Sequence, residues 1–392
     1  MKKRVFCLLL TGLILIFAGC SGGDTAVSST ASTAAASSQP VSAATSAATT
    51  SAPETTHEET TAETTAEKAV SPINAVKITP SQSIRTLAQG LTVAEFSGDD
   101  GLSDFLSGGG ASSDKGLTDF LVRQVLGGKA GLLFKGIKGG CSTLCVENEN
   151  GGYLFGRNFD WHRCNGMIVV CRPSKGYRSV STVNTDFVTS GSDFELSDDV
   201  LRFCALYAPL DGMNEAGVCV SVNMVYDSGA SINQNSGKPD LTTSTAIRLI
   251  LDRAASAKQA VELLRSYDLH ASFGYTVHYA IADKSGYSVA VEYIGNKMYV
   301  TETRALTNFY VTPGPKYGVG SQKSVTRYEN IMACYDENSE MTPAELRDTM
   351  ALAAQKNVAD YNTQWTAIFD TRAKTVTYFH RGNFKNGWTV SL

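Results

Sequence analysis

The 392-residue chain has no basic tract, and its formal net charge is −4, so nothing in it points to a nucleic-acid partner. It has no apolar run of the roughly 18–20 residues that a transmembrane helix needs. Its long apolar stretch, VFCLLLTGLILIFAG at residues 5–19, ends too soon. Nine cysteines and five histidines are present, but their spacing matches no zinc ribbon or finger, and the histidines do not cluster with the cysteines. No zinc ribbon or finger is therefore expected. There is no internal repeat. What is present is a globular composition, 43% hydrophobic and 18% charged, enough for one sizeable folded domain and a tail.

The first twenty residues read as an export signal: Lys2, Lys3 and Arg4, the apolar stretch, then Cys20. Phe17-Ala18-Gly19-Cys20 resembles a bacterial lipobox, in which small residues precede a cysteine that becomes lipidated and N-terminal. The plainer alternative is a secretory signal with an incidental cysteine. Removing the three basic residues takes the formal charge from −4 to −7, so attraction to anionic lipid is not the anchor. Residues 21–72 are nearly all Ser, Thr, Ala and Glu, without an aromatic residue. Such a segment cannot bury enough apolar surface to offset its ordering entropy. As a flexible coil it reaches about 40 Å, which suits a tether from the outer face of a membrane to a folded domain. A tether in that position favours the lipoprotein reading of Cys20.

Order is expected from about Ile73. Residues 91–140 hold two short helical patterns divided by SGGGASSDKG, the second placing Leu117, Phe120, Leu121 and Val125 at helical spacing. STLCVEN and YLFGRNF around ENENGG read as a hairpin, and GMIVVCRP as a further strand. FCALYAPLDGMNEAGVCVSVNMV reads as two strands around the turn DGMNEAG. TTSTAIRLILDRAASAKQAVELLRSY is helical, with hydroxyl residues suited to capping. TVHYAIADKSGYSVAVEYIGNKMYVTET gives three strands, SVTRYENIMACYDE and TPAELRDTMALAAQK are helical, and TQWTAIFDTRAKTVTYFH is a closing hairpin. Alternating blocks of strands and helices imply antiparallel sheets with helices outside, an α+β layered domain.

Seven cysteines follow residue 140, an odd number, so at least one thiol is free or intermolecular. Small buried residues or disulfide halves account for most of them. Cys141, directly after Gly139-Gly140, has a second reading. A thiol with a reference pKa of about 8.5 needs a base or a positive neighbour to act as a nucleophile. No histidine sits in a recognisable partner motif. The cysteine's own α-amino group, with a pKa near 8, serves if the chain is cut between Gly140 and Cys141. Glycine before the cysteine then leaves its carbonyl unobstructed for an N-to-S acyl shift. Arg157 can stabilise a thiolate and Asp160 can hold the new α-ammonium. The structural alternative for this pair is a salt bridge closing the hairpin.

CSTLCVENENGGYLFGRNFDW resembles the mature start of the linear amide C–N hydrolases of the choloylglycine hydrolase family, which includes bile salt hydrolases, penicillin V acylases and acid ceramidase-like relatives. The resemblance runs from Cys141 nearly to the end. It implies an N-terminal nucleophile hydrolase with a four-layer αββα sandwich and a small N-acyl amide substrate. It also implies further site residues: Asn223 after DGMNEAG for the oxyanion, Asn308 in Leu-Thr-Asn, and Arg327 in SQKSVTRYEN. Only 18 residues separate Asn308 from Arg327, far fewer than in bile salt hydrolases, which argues for a different pocket and assembly. The ordered-looking residues 73–140 resemble the precursor segment of the acid ceramidase group, leaving 141–392 as the catalytic domain. The alternatives are a bile salt hydrolase or penicillin V acylase proper, a non-catalytic ligand-binding lipoprotein, or a thiol enzyme that works without chain cleavage.

Overall fold

A computed structural model describes residues 70–126, 139–190, 195–228, 230–358 and 361–392. The export signal, Cys20, nearly all of the expected tether and residues 127–138 of the expected pro-segment lie outside the described residues.

Two sheets carry the fold. Among the described residues the first has eight strands, in the order Asn74–Ile78, Asn386–Ser391, Thr375–His380, Asn362–Asp370, Tyr153–Trp161, Gly140–Asn148 and Ala305–Leu306, with Glu340–Met341 also paired to Gly140–Asn148. The second has nine: Lys297–Glu302, Ser288–Ile294, Thr276–Ala282, Cys219–Val225, Pro209–Asn214, Ser179–Asn184, Gly166–Pro173, Leu91–Gly98 and Arg85–Ala88. Their facing surfaces interlock through Phe155, Phe369 and Tyr378 on one side and Ile168, Val180 and Met213 on the other. Helices Gln322–Glu337 and Pro343–Leu352 cover the outer face of the first sheet, where Ile331, Leu346 and Met350 meet Leu144 and Leu154. Helices Asp198–Leu206, Thr243–Arg253 and Ala257–Arg265 cover the second. The result is the expected four-layer αββα sandwich, α+β in class. Local chemistry starts these helices where the pattern asks. Thr342 and Glu345 form a reciprocal capping box ahead of Pro343, and Thr242 and Thr245 do the same for Thr243–Arg253.

Two expectations need correction. Residues 91–98, LTVAEFSG, form a strand rather than a helix, because Leu91, Val93 and Ala94 are buried against the neighbouring strand. FCAL belongs to helix Asp198–Leu206, and DGMN is strand, so the turn shrinks to Glu215–Val218. Of the two readings of the cysteines, the structure takes the first: among the described residues the seven are all free and six are buried, packing as small apolar groups.

The segment before Cys141 is built into both sheets. Asn74–Ile78 runs parallel to Asn386–Ser391 at the edge of the first. Leu91–Gly98 runs parallel to Gly166–Pro173 along eight residue pairs in the second. Helices Leu102–Ser107 and Asp114–Leu121 add Phe105, Leu117 and Phe120 to the outer core of the second sheet.

Candidate active site

Strands Gly140–Asn148 and Tyr153–Trp161 are antiparallel neighbours, with Cys141 opposite Phe159, Gly140 opposite Asp160 and Ser142 opposite Asn158. Because side chains alternate across a sheet, Cys141, Arg157 and Phe159 share the inner face, while Ser142, Asn158 and Asp160 share the outer one. Arg157 and Asp160 therefore point to opposite faces, and the hairpin salt bridge does not form. Each residue of Gly-Arg-Asn has its own task. A Cβ at Gly156 would come 2.8 Å from Met350 Cγ, so glycine lets helix Pro343–Leu352 lie close. Asn158 fastens that helix by donating to the Met350 carbonyl at 2.7 Å. Arg157 is fully buried, with Nε 3.4 Å from Asp211 Oδ2 and Nη2 donating to the Val222 carbonyl at 3.0 Å.

That same Val222 carbonyl accepts the Cys141 thiol at 3.7 Å, so thiol and guanidinium meet at one acceptor. Burial pushes the Cys141 thiol above its ordinary value; Arg157 and Arg327 pull it down, and Asp160 pushes it up. In the intact chain the thiol is accordingly held protonated. The Cys141 backbone N–H donates to Asn308 Oδ1 at 2.8 Å. That oxygen also accepts from Arg327 Nη2 at 2.6 Å, and Arg327 reaches the Cys141 carbonyl and Ser142 Oγ, each at 3.3 Å. Asn308 is oriented in turn: its N–H donates to Ser324 Oγ, and its Nδ2 to the Met224 carbonyl at 2.8 Å. Ser324 sits one turn ahead of Arg327 on helix Gln322–Glu337, so one helix positions both groups. Asp160 takes a 2.6 Å bond from Thr363 Oγ1 on Oδ1, while its buried Oδ2 has no hydrogen-bond partner among the described residues. Burial holds its carboxyl above the usual range, against Arg327, Thr363 and Arg157.

Cys141, Arg157, Asp160, Asn308 and Arg327 thus converge around one peptide nitrogen and one thiol. Asn223 does not join them. Its Nδ2 donates to the Leu306 and Thr307 carbonyls, both at 3.3 Å, so it steadies the segment that carries Asn308. Cys141 lines an apolar pocket of about 40 Å³ together with Gly139, Gly140, Phe159, Trp161, Val222 and Met224.

Several supporting groups escaped the sequence reading. Asp211, the partner of Arg157, also accepts from Trp365 Nε1 at 2.9 Å; it lay in what read as a turn. Thr363 sits in the recognised strand TQW, but only pairing with Asp160 gives it a role. His278 contacts Glu292 Oε1 and the Thr307 carbonyl at 2.8 Å each, and Glu292 accepts the Val311 and Thr312 N–H groups. This buried pair clamps both ends of the Asn308 segment. A strand histidine fourteen residues from a strand glutamate carries no sequence signal by itself.

A buried cysteine with a polar network and an apolar pocket makes this the candidate site of the chain. Comparison with known proteins gives it a family. The family described as linear amide C–N hydrolases, choloylglycine hydrolase family, matches residues 141–350, and the chain belongs to it. A bile salt hydrolase/transferase of Clostridium perfringens is 27% identical over 184 residues, 43% of this chain and 53% of that protein, so the chain spans about half the length of this curated relative. Solved structures with a similar trace include a mutant of the conjugated bile acid hydrolase from Clostridium perfringens (TM-score 0.47, 17% identity, 61% of this chain and 89% of that one). A penicillin V acylase from Agrobacterium tumefaciens has a TM-score of 0.43 at 17% identity, covering 61% and 83% of the two chains. A Caenorhabditis elegans ortholog of N-acylethanolamine-hydrolyzing acid amidase has a TM-score of 0.41 at 16% identity, covering 59% and 93%.

Proposed function

We propose that the chain is a cysteine N-terminal nucleophile amidase that hydrolyses the linear amide bond of a small N-acylated molecule through a thioester on Cys141. In this reading it is exported, lipidated at Cys20 and held at the outer face of a bacterial membrane by residues 21–72. Cleavage between Gly140 and Cys141 then frees the α-amine, with residues 73–140 as the pro-segment. The observation that carries the reading is the convergence of Cys141, Arg157, Asp160, Asn308 and Arg327 at the closed end of an apolar pocket. The family match also opens on Cys141.

The chemistry follows from the network. The freed amine takes the thiol proton, directly or through a water, and Sγ attacks the substrate carbonyl. The Asp160 Oδ2 atom, buried without a hydrogen-bond partner among the described residues, suits the resulting ammonium. One hydrogen of the Asn308 amide goes to the Met224 carbonyl, which leaves the other for the oxyanion, a contribution of about 3–4 kcal/mol. The ammonium returns a proton to the leaving amine, and water hydrolyses the thioester. The route needs no metal or organic cofactor.

The test is mass spectrometry of acid-quenched protein expressed from about Ile73 onward, incubated with a panel of N-acyl amides that includes conjugated bile salts. The expected result is free amine in solution and an acyl adduct confined to the Cys141 peptide, both lost in Cys141→Ala. Amide hydrolysis that persists in Cys141→Ala would contradict the reading.

A further inference from the structure

The residues just before the scissile bond are themselves an acyl group presented to Cys141, and their fit describes the substrate. In the self-cleavage proposed above, on which this inference rests, Cys141 Sγ bonds to the Gly140 carbonyl carbon as the Gly140–Cys141 C–N bond breaks. The thiol proton passes to the departing nitrogen, and water then splits the thioester into a Gly140 carboxylate and the free thiol. The acyl half of that thioester is the Gly139–Gly140 end. The acyl half of a substrate thioester sits on the same sulfur.

Gly140 therefore stands where a substrate's α-carbon stands. There is no room there for a branch: a Cβ in the direction of an L side chain would come 2.7 Å from Asp160 Oδ2 and 3.4 Å from Arg327 Nη2. Neither group can retreat freely, because Asp160 Oδ1 is tied to Thr363 and Arg327 to Asn308 and Cys141. Gly139, further along, is gripped by Tyr226, whose hydroxyl bonds its carbonyl and accepts its N–H at 2.7 Å. A Cβ there would come 2.2 Å from the edge of the Trp161 ring. Both glycines are also walls of the apolar pocket, so their departure opens it along the path they occupied.

We propose that residues 139–140 occupy the acyl subsite of the precursor, and that the mature enzyme takes acyl groups unbranched at the α-carbon whose chain runs along Trp161 past the Tyr226 hydroxyl. One steric rule then governs self-cleavage and turnover.

Two arms test this. Protein expressed from about Ile73 onward, with its processed segment still bound, is given the p-nitroanilides of octanoic acid and of the two enantiomers of 2-methyloctanoic acid; the enantiomers have equal intrinsic reactivity, so any difference between them reads the site. The enantiomer whose methyl takes the L direction should be hydrolysed at least tenfold more slowly than its mirror image and than the straight chain. In the full chain, Gly140→Ala should slow appearance of the Cys141 terminus at least tenfold, with near-ultraviolet circular dichroism reporting the fold. Equal hydrolysis of both enantiomers and the straight chain overturns the inference even if Gly140→Ala fails to fold. No hydrolysis of any amide in the wider panel overturns the functional reading itself, and this inference with it.

Discussion

The segment before Cys141 and the strands after it are held by opposite kinds of force. Residues 70–126 are attached by burial and strand pairing: Leu91, Val93, Leu102 and Leu117 are all but inaccessible, and two of the segment's strands complete sheets formed by later residues. At residues 139–142 the grip is polar and specific, with Tyr226, Asn308 and Arg327 each bonded to backbone atoms beside one peptide bond. The first kind of attachment does not depend on an unbroken chain. The second surrounds the bond that the proposed cleavage would break. A segment built this way is expected to remain bound after cleavage as a structural part of the domain.

The comparison breaks first at its polar end. Asp160→Asn should reduce self-cleavage and amide turnover by about 10²–10³-fold, because the group facing the developing ammonium is lost while Thr363 still has an acceptor. Time courses on gels and amine release measure this, and a wild-type rate would remove Asp160 from the mechanism. Asn308→Ala should lose activity of the same order and also leave the Cys141 nitrogen without its acceptor.

At the apolar end, Leu91→Ala should destabilise the protein by about 2–4 kcal/mol without changing the chemistry per folded molecule. Thermal melts and size-exclusion chromatography of cleaved protein check both halves. Wild-type fragments should co-elute, and the variant should release its segment at lower denaturant. Fragments that separate in native buffer would show that the parallel pairing is not enough.

The clamp behind Asn308 sharpens the comparison. His278→Phe should lower kcat with little change in KM, since it loosens a positioning segment and not the pocket wall. Burial alone would raise the Glu292 carboxyl, but the hydrogen bond and charge of His278, with the Thr312 and Val311 N–H groups, bring it below its usual value. Its contribution is therefore present above the ordinary carboxyl range and lost as pH falls through the lowered value. The stability gap between wild type and Glu292→Gln should shrink as pH falls below about 4, measured by urea titration. Smallest of all, Cys145→Ala should leave turnover unchanged. Burial pushes that thiol up to about 11, so alkylation of native mature protein should mark Cys141 and spare Cys145.

Much of this was legible in the chain. The hairpin around ENENGG, the helices over SVTRYENIMACYDE and in TPAELRDTMALAAQK, and the closing hairpin follow from periodicity and turn chemistry. Cys141, Arg157 and Asp160 are legible from residue chemistry near one hairpin, whereas Asn308 and Arg327 come from the family resemblance, because their pairing with Cys141 spans up to 186 positions and no local pattern encodes it. The Leu91–Gly98 strand was missed because its apolar pattern over eight residues suits a helix or an edge strand, and only partner burial decides. FCAL was misread for the same reason. Asn223 was placed by homology of order, but strand alternation turns Val222 and Met224 toward the pocket and Asn223 away from it. Asp211 was hidden by turn-forming neighbours, although in the strand Pro209–Asn214 it faces Arg157 across the sheets.

The central claim is that Cys141 becomes a chain terminus and acts from there. The direct measurement is the intact mass and N-terminal residue of purified protein beginning near Ile73, wild type beside Cys141→Ala. The account predicts a wild-type chain that starts at Cys141, still accompanied by its pro-segment, and an alanine variant that stays whole. A wild type that stays whole yet turns over amides through Cys141, or an alanine variant cut at the same bond, would contradict it.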